Sequence, residues 1–521
     1  MNRTTLGIAI LLCWAAALGL LVRREYFKPR AIRLAEAAQA VGPGASYYTI
    51  SMGSGPIGYA SSTVDTLPDE IRVQDGMTID IEALGSVQRT VLLTDIRLSR
   101  DLRLRTFTAS LTSPAGAFRA TGTVEGDSVI EVEINAGGNR PQRSRVRLDR
   151  PIVLPALLPL ELAVGGRLQV GRSYTIRLFD PMLMQDQDVQ VRVLAESTLV
   201  VPDSARFDST GGRWVAARQD TLRAWKITQQ YGGVGVESWI DQQGRVVSSI
   251  SPIGFRMERT ALEIAVENWR RGLGGSRAAA GGGSDIVSAT AIAANVALRP
   301  EAMNELRVVL RDVTLEGFDL EGGRQRLIGD TLVIQRERGL ALTAPLAMRP
   351  SGLLTHLPIR DTALRGELAP EPLVQANDPR IQAQARQIVE REHRAGPVAE
   401  LLTRWVHDNL EKQITISVPS AVQVLEERSG DCNEHTVLYV ALARALGLPA
   451  RTAAGVVYLR GRFYYHAWPE VWLGEWVAVD PTFGQYPADA SHLRFVVGGL
   501  ARQVELIRLI GRLRLNVVAT R

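Results

Sequence analysis

Cysteine and lysine are nearly missing from this 521-residue chain. Of the two cysteines, Cys13 lies inside an N-terminal apolar run and Cys432 far away in the C-terminal third, so a disulfide framework is excluded as the source of stability. Lysine occurs only as Lys28, Lys226 and Lys412, which makes the net charge of +5 almost wholly arginine, dispersed among 55 acidic residues. Nucleic-acid binders gather charge on a face or in a run. No such cluster stands out, and a nucleic-acid partner is not expected. Histidine is absent from the first 350 residues: His356, His393, His407, His435, His466 and His492 all follow.

What is present is ordinary for a globular protein, 45% hydrophobic and 22% charged. The length exceeds what one core can organise, and about two to four domains are expected. Thr5 to Val22 is an uncharged apolar run closed by Arg23 and Arg24. As a helix it would reach ~27 Å, enough for a bilayer core. Cleavage near Ala15-Ala16-Ala17 would leave an apolar stub, so the run is expected as an uncleaved transmembrane anchor within residues 1–25. The basic residues after it, Arg23, Arg24, Lys28, Arg30 and Arg33, would by the positive-inside rule hold the body in the cytoplasm.

Residues 40–258 read as antiparallel β-structure. Met77, Ile79 and Ile81 alternate with polar residues, as do Ile130, Val132 and Ile134. Glu131 and Glu133 are expected to face Arg145 and Arg147 across a hairpin, and a second hairpin is expected around Trp239 to Val246. No metal or nucleophile constellation appears there. A scaffold is expected, with room for a concavity that takes a lipid, glycan or peptide ligand. Residues 259–284 read as a helix and a Gly-rich linker, and 285–375 as a small β unit.

Residues 376–521 carry the chemistry. Asp378-Pro379 opens one helix, Val398 to Asn409 marks a second and Ser420 starts a third. In Gly430-Asp431-Cys432-Asn433-Glu434-His435-Thr436, Asp431 and Glu434 form a capping-box pattern that makes Cys432 the first helical residue. A thiol among unpaired helix N–H groups is expected to favour the thiolate, and the same N–H groups can donate to an oxyanion. A base and an orienting acid are then needed, and His466 and Asp480 are the candidates. The two must share a face of a hairpin around Gly474. A two-residue loop throws Asp480 to the wrong side. An odd-length loop, or a bulge at Pro469, brings it beside His466. The triad therefore predicts an irregular hairpin. His435 shares the helix with Cys432 and is expected as a packing or supporting residue. Cys432, His435, His466 and Asp480 can also be drawn as a zinc site, but the C-x-x-H pair lacks a second clustered pair, and no metal or cofactor is expected. Trp468, Trp472 and Trp476 are expected to cover the hairpin as core.

Gly-Asp-Cys-Asn-Glu-His, Leu446-Gly447-Leu448-Pro449-Ala450-Arg451, Tyr465-His466-Ala467-Trp468 and Val479-Asp480-Pro481-Thr482 resemble the bacterial transglutaminase-like superfamily, which has a papain-like core. The resemblance covers roughly residues 378–495. It implies a Cys-His-Asp triad, matched here by Cys432, His466 and Asp480. It also implies an α+β catalytic domain and acyl transfer on an amide or peptide bond of a protein or peptide substrate, by hydrolysis or transamidation. The animal enzymes of the superfamily carry Gly-Gln-Cys-Trp where this chain has Gly-Asp-Cys-Asn. Proteins of this architecture point to an extracytoplasmic body on a single-pass cell-membrane anchor. The expected fold class is an α+β multidomain chain: transmembrane helix, antiparallel β-rich region, and C-terminal transglutaminase-like domain. A module of the same fold that binds or assembles without catalysis is the alternative.

Overall fold

The computed structural model describes residues 41–521 apart from 54, 84–85, 115, 127–128, 137–140, 148–151, 182–183, 232–233, 253, 275–289, 342 and 414–419. The apolar run at 5–22 and most of the Gly-rich linker lie outside the described residues.

Fourteen strands make one antiparallel sheet. They are β1 (Gly44–Met52), β2 (Gly55–Thr66), β3 (Glu70–Ala83), β4 (Ser86–Ser99), β5 (Leu104–Ser113), β6 (Gly116–Glu125), β7 (Val129–Asn135), β8 (Gln142–Arg147), β9 (Ser173–Asp180), β10 (Gln185–Asp208), β11 (Arg213–Tyr231), β12 (Val234–Asp241), β13 (Val246–Ile250) and β14 (Phe255–Thr260). The chain grows the sheet outward as two meanders, and the first and last strands close the seam, with Tyr47 opposite Thr260 and Met52 opposite Phe255. Alternation drives it. In β7, Ile130, Val132 and Ile134 are buried while Glu131 and Glu133 are exposed. Glu131 lies opposite Arg145 and Glu133 opposite Arg143, so the second pair sits closer to the turn than the expected Arg147.

A short helix, α1 (Leu158–Val164), packs into the hollow of this sheet. Leu154, Leu157 and Leu160, on and just before it, pack with Ile96, Phe107 and Ile130, and Leu158 and Leu162 pack with Ile176, Val189 and Ile227. Its apolar residues thus serve two clusters at once. A further short helix, α2 (Asn268–Gly274), follows the sheet.

Two smaller sheets and a helical cluster form the C-terminal part. β15 (Ile292–Ala293), β16 (Glu305–Arg311), β17 (Gln325–Ile328) and β18 (Thr331–Gln335) precede the helices α3 (Pro379–Val389), α4 (Ala395–Asn409), α5 (Ala421–Glu427) and α6 (Cys432–Ala445). A two-stranded pairing of β19 (Glu411–Lys412) with β20 (Ser429–Gly430) leads into α6. Then come β21 (Ala450–Leu459), β22 (Arg462–Trp472), β23 (Trp476–Ala478), β24 (His492–Val497) and β25 (Arg514–Thr520). One sheet runs β15-β22-β21-β24 with β23 on β22, the other β17-β18-β16-β25. Strands from before the helices thus pair with strands from after them. α6 is buried along Val437 to Ala443, against Ile381 and Ala385 of α3 and Val398, Leu402 and Val406 of α4.

The expected fold class is corrected. Among the described residues strands hold 49% and helices 20%, so that part of the molecule is mainly antiparallel β and not the α+β class expected. No helix among the described residues is long and apolar enough to cross a membrane. The balance shifts because the β-rich region builds one continuous sheet: each hairpin edge is covered by the next strand, which leaves that region little need of helices.

Candidate active site

α6 starts where the capping box sets it. Asp431 Oδ1 accepts from the Asn433 N–H at 2.7 Å, and Glu434 Oε2 accepts from the Asp431 N–H at 3.0 Å. Cys432 is therefore the first residue of the helix and is half-buried, beside the Ala467 N–H, which donates toward its sulfur. β22 brings that N–H, and with it His466, up to the start of α6.

The hairpin carries the acid to the same place. Trp472 pairs with Trp476, Val471 with Val477 and Glu470 with Ala478, around the three-residue loop Leu473-Gly474-Glu475. Gly474 takes φ +91°, which only glycine adopts at little cost. An added Cβ there would meet Ser351 Oγ at 2.3 Å. The loop is odd-length, as the parity argument required, and the ladder needs no bulge at Pro469, whose carbonyl accepts from the Val479 N–H at 3.0 Å. Asp480 then leaves the strand and bridges Gln485. Trp468 is buried in the core, while Trp472 and Trp476 meet edge to face at 5.4 Å.

His466 Nε2 donates to Asp480 Oδ2 at 2.7 Å, which leaves Nδ1 outside that bond. The imidazole is held flat, stacked on Phe483 with centroids 4.9 Å apart and on Trp468 at 6.0 Å. Asp480 is fully buried, and its Oδ1 accepts from the N–H groups of Thr482 at 2.7 Å and Phe483 at 3.1 Å. Burial alone would raise its pKa. The charge and hydrogen bond of His466, with a further bond from His492, outweigh that and hold the carboxyl far below the usual carboxylate range.

Sequence reasoning missed His492. Its Nε2 donates to the same Asp480 Oδ2 at 2.9 Å, and its Nδ1 faces Asp489 Oδ1 at 3.2 Å. The ring is fully buried with an acceptor against each nitrogen, an arrangement that favours the doubly protonated form. Burial would lower its pKa, but the bonds and charges of Asp480 and Asp489 outweigh that and raise it. Asp489 is in turn held low, for burial is outweighed by His492, and it also accepts from Ser491 and Gln485. No spacing rule links positions 480, 489 and 492; the clustering of all six histidines after residue 350 was the one available signal. Gly455 lets the strands meet: it lies opposite His466 on β22 and opposite Arg494 on β24, and a Cβ there would sit 1.9 Å from the Leu493 carbonyl oxygen.

One expectation changes at this site. The thiol is not tuned toward thiolate. Burial, foremost, pushes it well above its ordinary value, and Asp431 adds to the rise against the single Ala467 N–H. The capping box that places Cys432 also puts two acidic side chains at the helix start, where they offset the dipole. Burial and Glu434 push the Asp431 carboxyl itself well up. In the four-residue zinc drawing, His435 Nδ1 donates to the Asp431 carbonyl at 2.7 Å, and its buried Nε2 has no hydrogen-bond partner among the described residues. The ligand atoms of His466, Asp480 and His492 do lie within 4.8 Å of one another, but each is already engaged as a hydrogen-bond partner. His435 is fully buried, and burial lowers its pKa. α4 braces the acid's loop through His407 Nδ1, which donates to the Pro481 carbonyl at 3.1 Å.

Residues 382–481 match the Transglutaminase-like superfamily core. No curated protein matches the chain. Among solved structures, a protein from Cytophaga hutchinsonii, provisionally assigned as a cysteine protease, is 15% identical with a TM-score of 0.27, over 42% of this chain and 86% of that one. A β-barrel-like protein from Brucella abortus, with a domain of unknown function, is 12% identical with a TM-score of 0.31, over 43% and 97%. Both scores are low, and the reading of the site rests on its own geometry. The chain carries a transglutaminase-like domain, spanning residues 382–481.

Proposed function

We propose that this protein is a thiol-nucleophile acyl-transfer enzyme acting on amide or peptide bonds, with Cys432 as nucleophile, His466 as base and Asp480 as orienting acid. The observation that carries the reading is the 2.7 Å bond from His466 Nε2 to a buried Asp480, beside the strand N–H that reaches Cys432. Substrate binding displaces water and sets the carbonyl carbon against Cys432 Sγ. The thiol proton passes to His466 Nδ1 as the carbon–sulfur bond forms. Asp480 stabilises the imidazolium, which returns the proton to the leaving amine as the carbon–nitrogen bond breaks. Water or a second amine then attacks the thioester, and the thiol re-forms. The neutral thiol suits this order, since charge separates only once the substrate is in place.

The raised thiol is also what favours a second reading, a transglutaminase-like module that binds without turnover. Product analysis with a glutamine-containing peptide, with and without added amine, separates them. Glutamate or an amine adduct that disappears in Cys432→Ala supports the enzyme. No product under either condition supports the module.

A further inference from the structure

The hollow of the fourteen-stranded sheet is not filled by α1. A cavity of about 530 Å³ remains between β1–β5, the β12–β14 strands and the segment from Leu154 to Leu160. That lies within the range of sites for small organic ligands, about 300–1,000 Å³. It reaches solvent where Ala156 and Gln243, both lining it, are exposed. Its walls are aliphatic and aromatic, with Val73, Ile96, Phe107 and Leu157 all buried.

Polar groups interrupt these walls, Asp180, Gln229, Ser238 and Arg245 among them, and one set of three stands in register on neighbouring strands. Ser62 on β2, Asp75 on β3 and Thr94 on β4 stand on a single rung, Ser62 opposite Asp75 and Asp75 opposite Thr94. Thr94 Oγ1 donates to Asp75 Oδ2 at 3.5 Å, a long bond that leaves the carboxyl much of its capacity for another donor. Burial raises the Asp75 pKa, against the bonds of Ser62 and Thr94. A deep apolar hollow excludes sugars and charged peptides, whose polar groups would go unpaired. The Asp75 carboxyl, with hydroxyls on either side of it, calls for a hydroxyl or amide donor. A second carboxylate would place like charges together.

We infer that this cavity binds the apolar chain of a neutral single-chain amphiphile, whose hydroxyl or amide group pairs with the Ser62–Asp75–Thr94 rung. The site is separate from Cys432 and independent of the acyl-transfer reading.

The test titrates the full chain with monopalmitin, palmitate and monobutyrin by calorimetry, and repeats it with Ala109→Phe and Asp75→Leu. Ala109 lines the cavity and is buried. Saturable one-to-one binding of monopalmitin is expected, with palmitate and monobutyrin each at least tenfold weaker. Ala109→Phe should weaken monopalmitin at least tenfold by filling the hollow. Asp75→Leu should remove its advantage over palmitate. Circular dichroism checks that each variant folds; should Ala109→Phe fail to fold, Asp75→Leu alone decides. Absence of saturable binding, or binding that a folded Ala109→Phe leaves unchanged, overturns the site. Palmitate binding as tightly as monopalmitin overturns the assignment of the polar group.

Discussion

Asp480 Oδ2 accepts from two imidazoles, and that sharing sets the character of the site. His492, lying between two carboxylates that raise its pKa, also draws on the acid, so Asp480 is shared between the two rings. His492→Gln keeps a donor near Asp480 and removes the cation. No second cation then offsets the Asp480 charge at His466, and the acid limb of the acylation pH profile should move to higher pH, a change that a merely structural role would not produce. His492→Ala is harsher. It takes one donor from each of two buried carboxylates and should cost about 3–5 kcal/mol, read by urea unfolding. The pH dependence of stability follows the same groups. The raised pKa of His492 gives stability that is complete below about pH 6.5 and lost as pH rises through the folded value. The lowered Asp480 and Asp489 give stability present above about pH 4 and lost as pH falls. In His492→Gln, urea midpoints measured from pH 6 upward should show a smaller alkaline decline than the wild type; an unchanged decline would mean that His492 is not charged in the folded state. Cys432, Asp431, His466 and Asp480 were legible in the sequence because each lies in a local pattern: a capping box, a strand, a hairpin with fixed parity. His492 and Asp489 were not, since their partners are reached across an irregular loop. The thiolate expectation failed because the dipole argument counted the helix N–H groups and left out the burial and the acidic cap.

At the scale of elements, the hairpin is the part that positions the acid. One glycine inserted after Gly474 makes the loop even-length, and a strand that slips by one residue turns every side chain to the other face. Acylation should fall to the level of Asp480→Ala while far-UV circular dichroism stays unchanged; retained activity would show that Asp480 is placed by its own loop and by His407, without the hairpin. Gly455→Ala tests the neighbouring contact. Its Cβ has no room against the Leu493 carbonyl, and overpacking of this kind costs about 1–3 kcal/mol. The expected loss would appear as a lowered unfolding midpoint. The helices were readable from their caps: Asp378 Oδ1 does accept from the Arg380 N–H at 2.9 Å, and α6 does begin at Cys432. Individual strands were readable from alternation. Their partners were not, because pairing such as β1 with β14 or β16 with β25 joins segments some two hundred residues apart, and no local pattern encodes it.

For the whole molecule, the fully buried apolar residues of the sheet and of the C-terminal part form different clusters, with Leu373 packed against that of the sheet. Phe107 is buried in the sheet, and Phe107→Ala should cost that region about 3–5 kcal/mol while leaving the acylation rate within twofold of the wild type. A proportionate loss of rate would show the two parts to be one cooperative unit. The proposal that Cys432, His466 and Asp480 act together is tested most directly by intact-mass spectrometry after brief mixing with p-nitrophenyl acetate. The account predicts a single acetyl adduct on Cys432, absent in Cys432→Ala and formed about 10²–10⁴-fold more slowly in His466→Ala. An adduct on another residue, or one that forms on Cys432 at the same rate without His466, would contradict it.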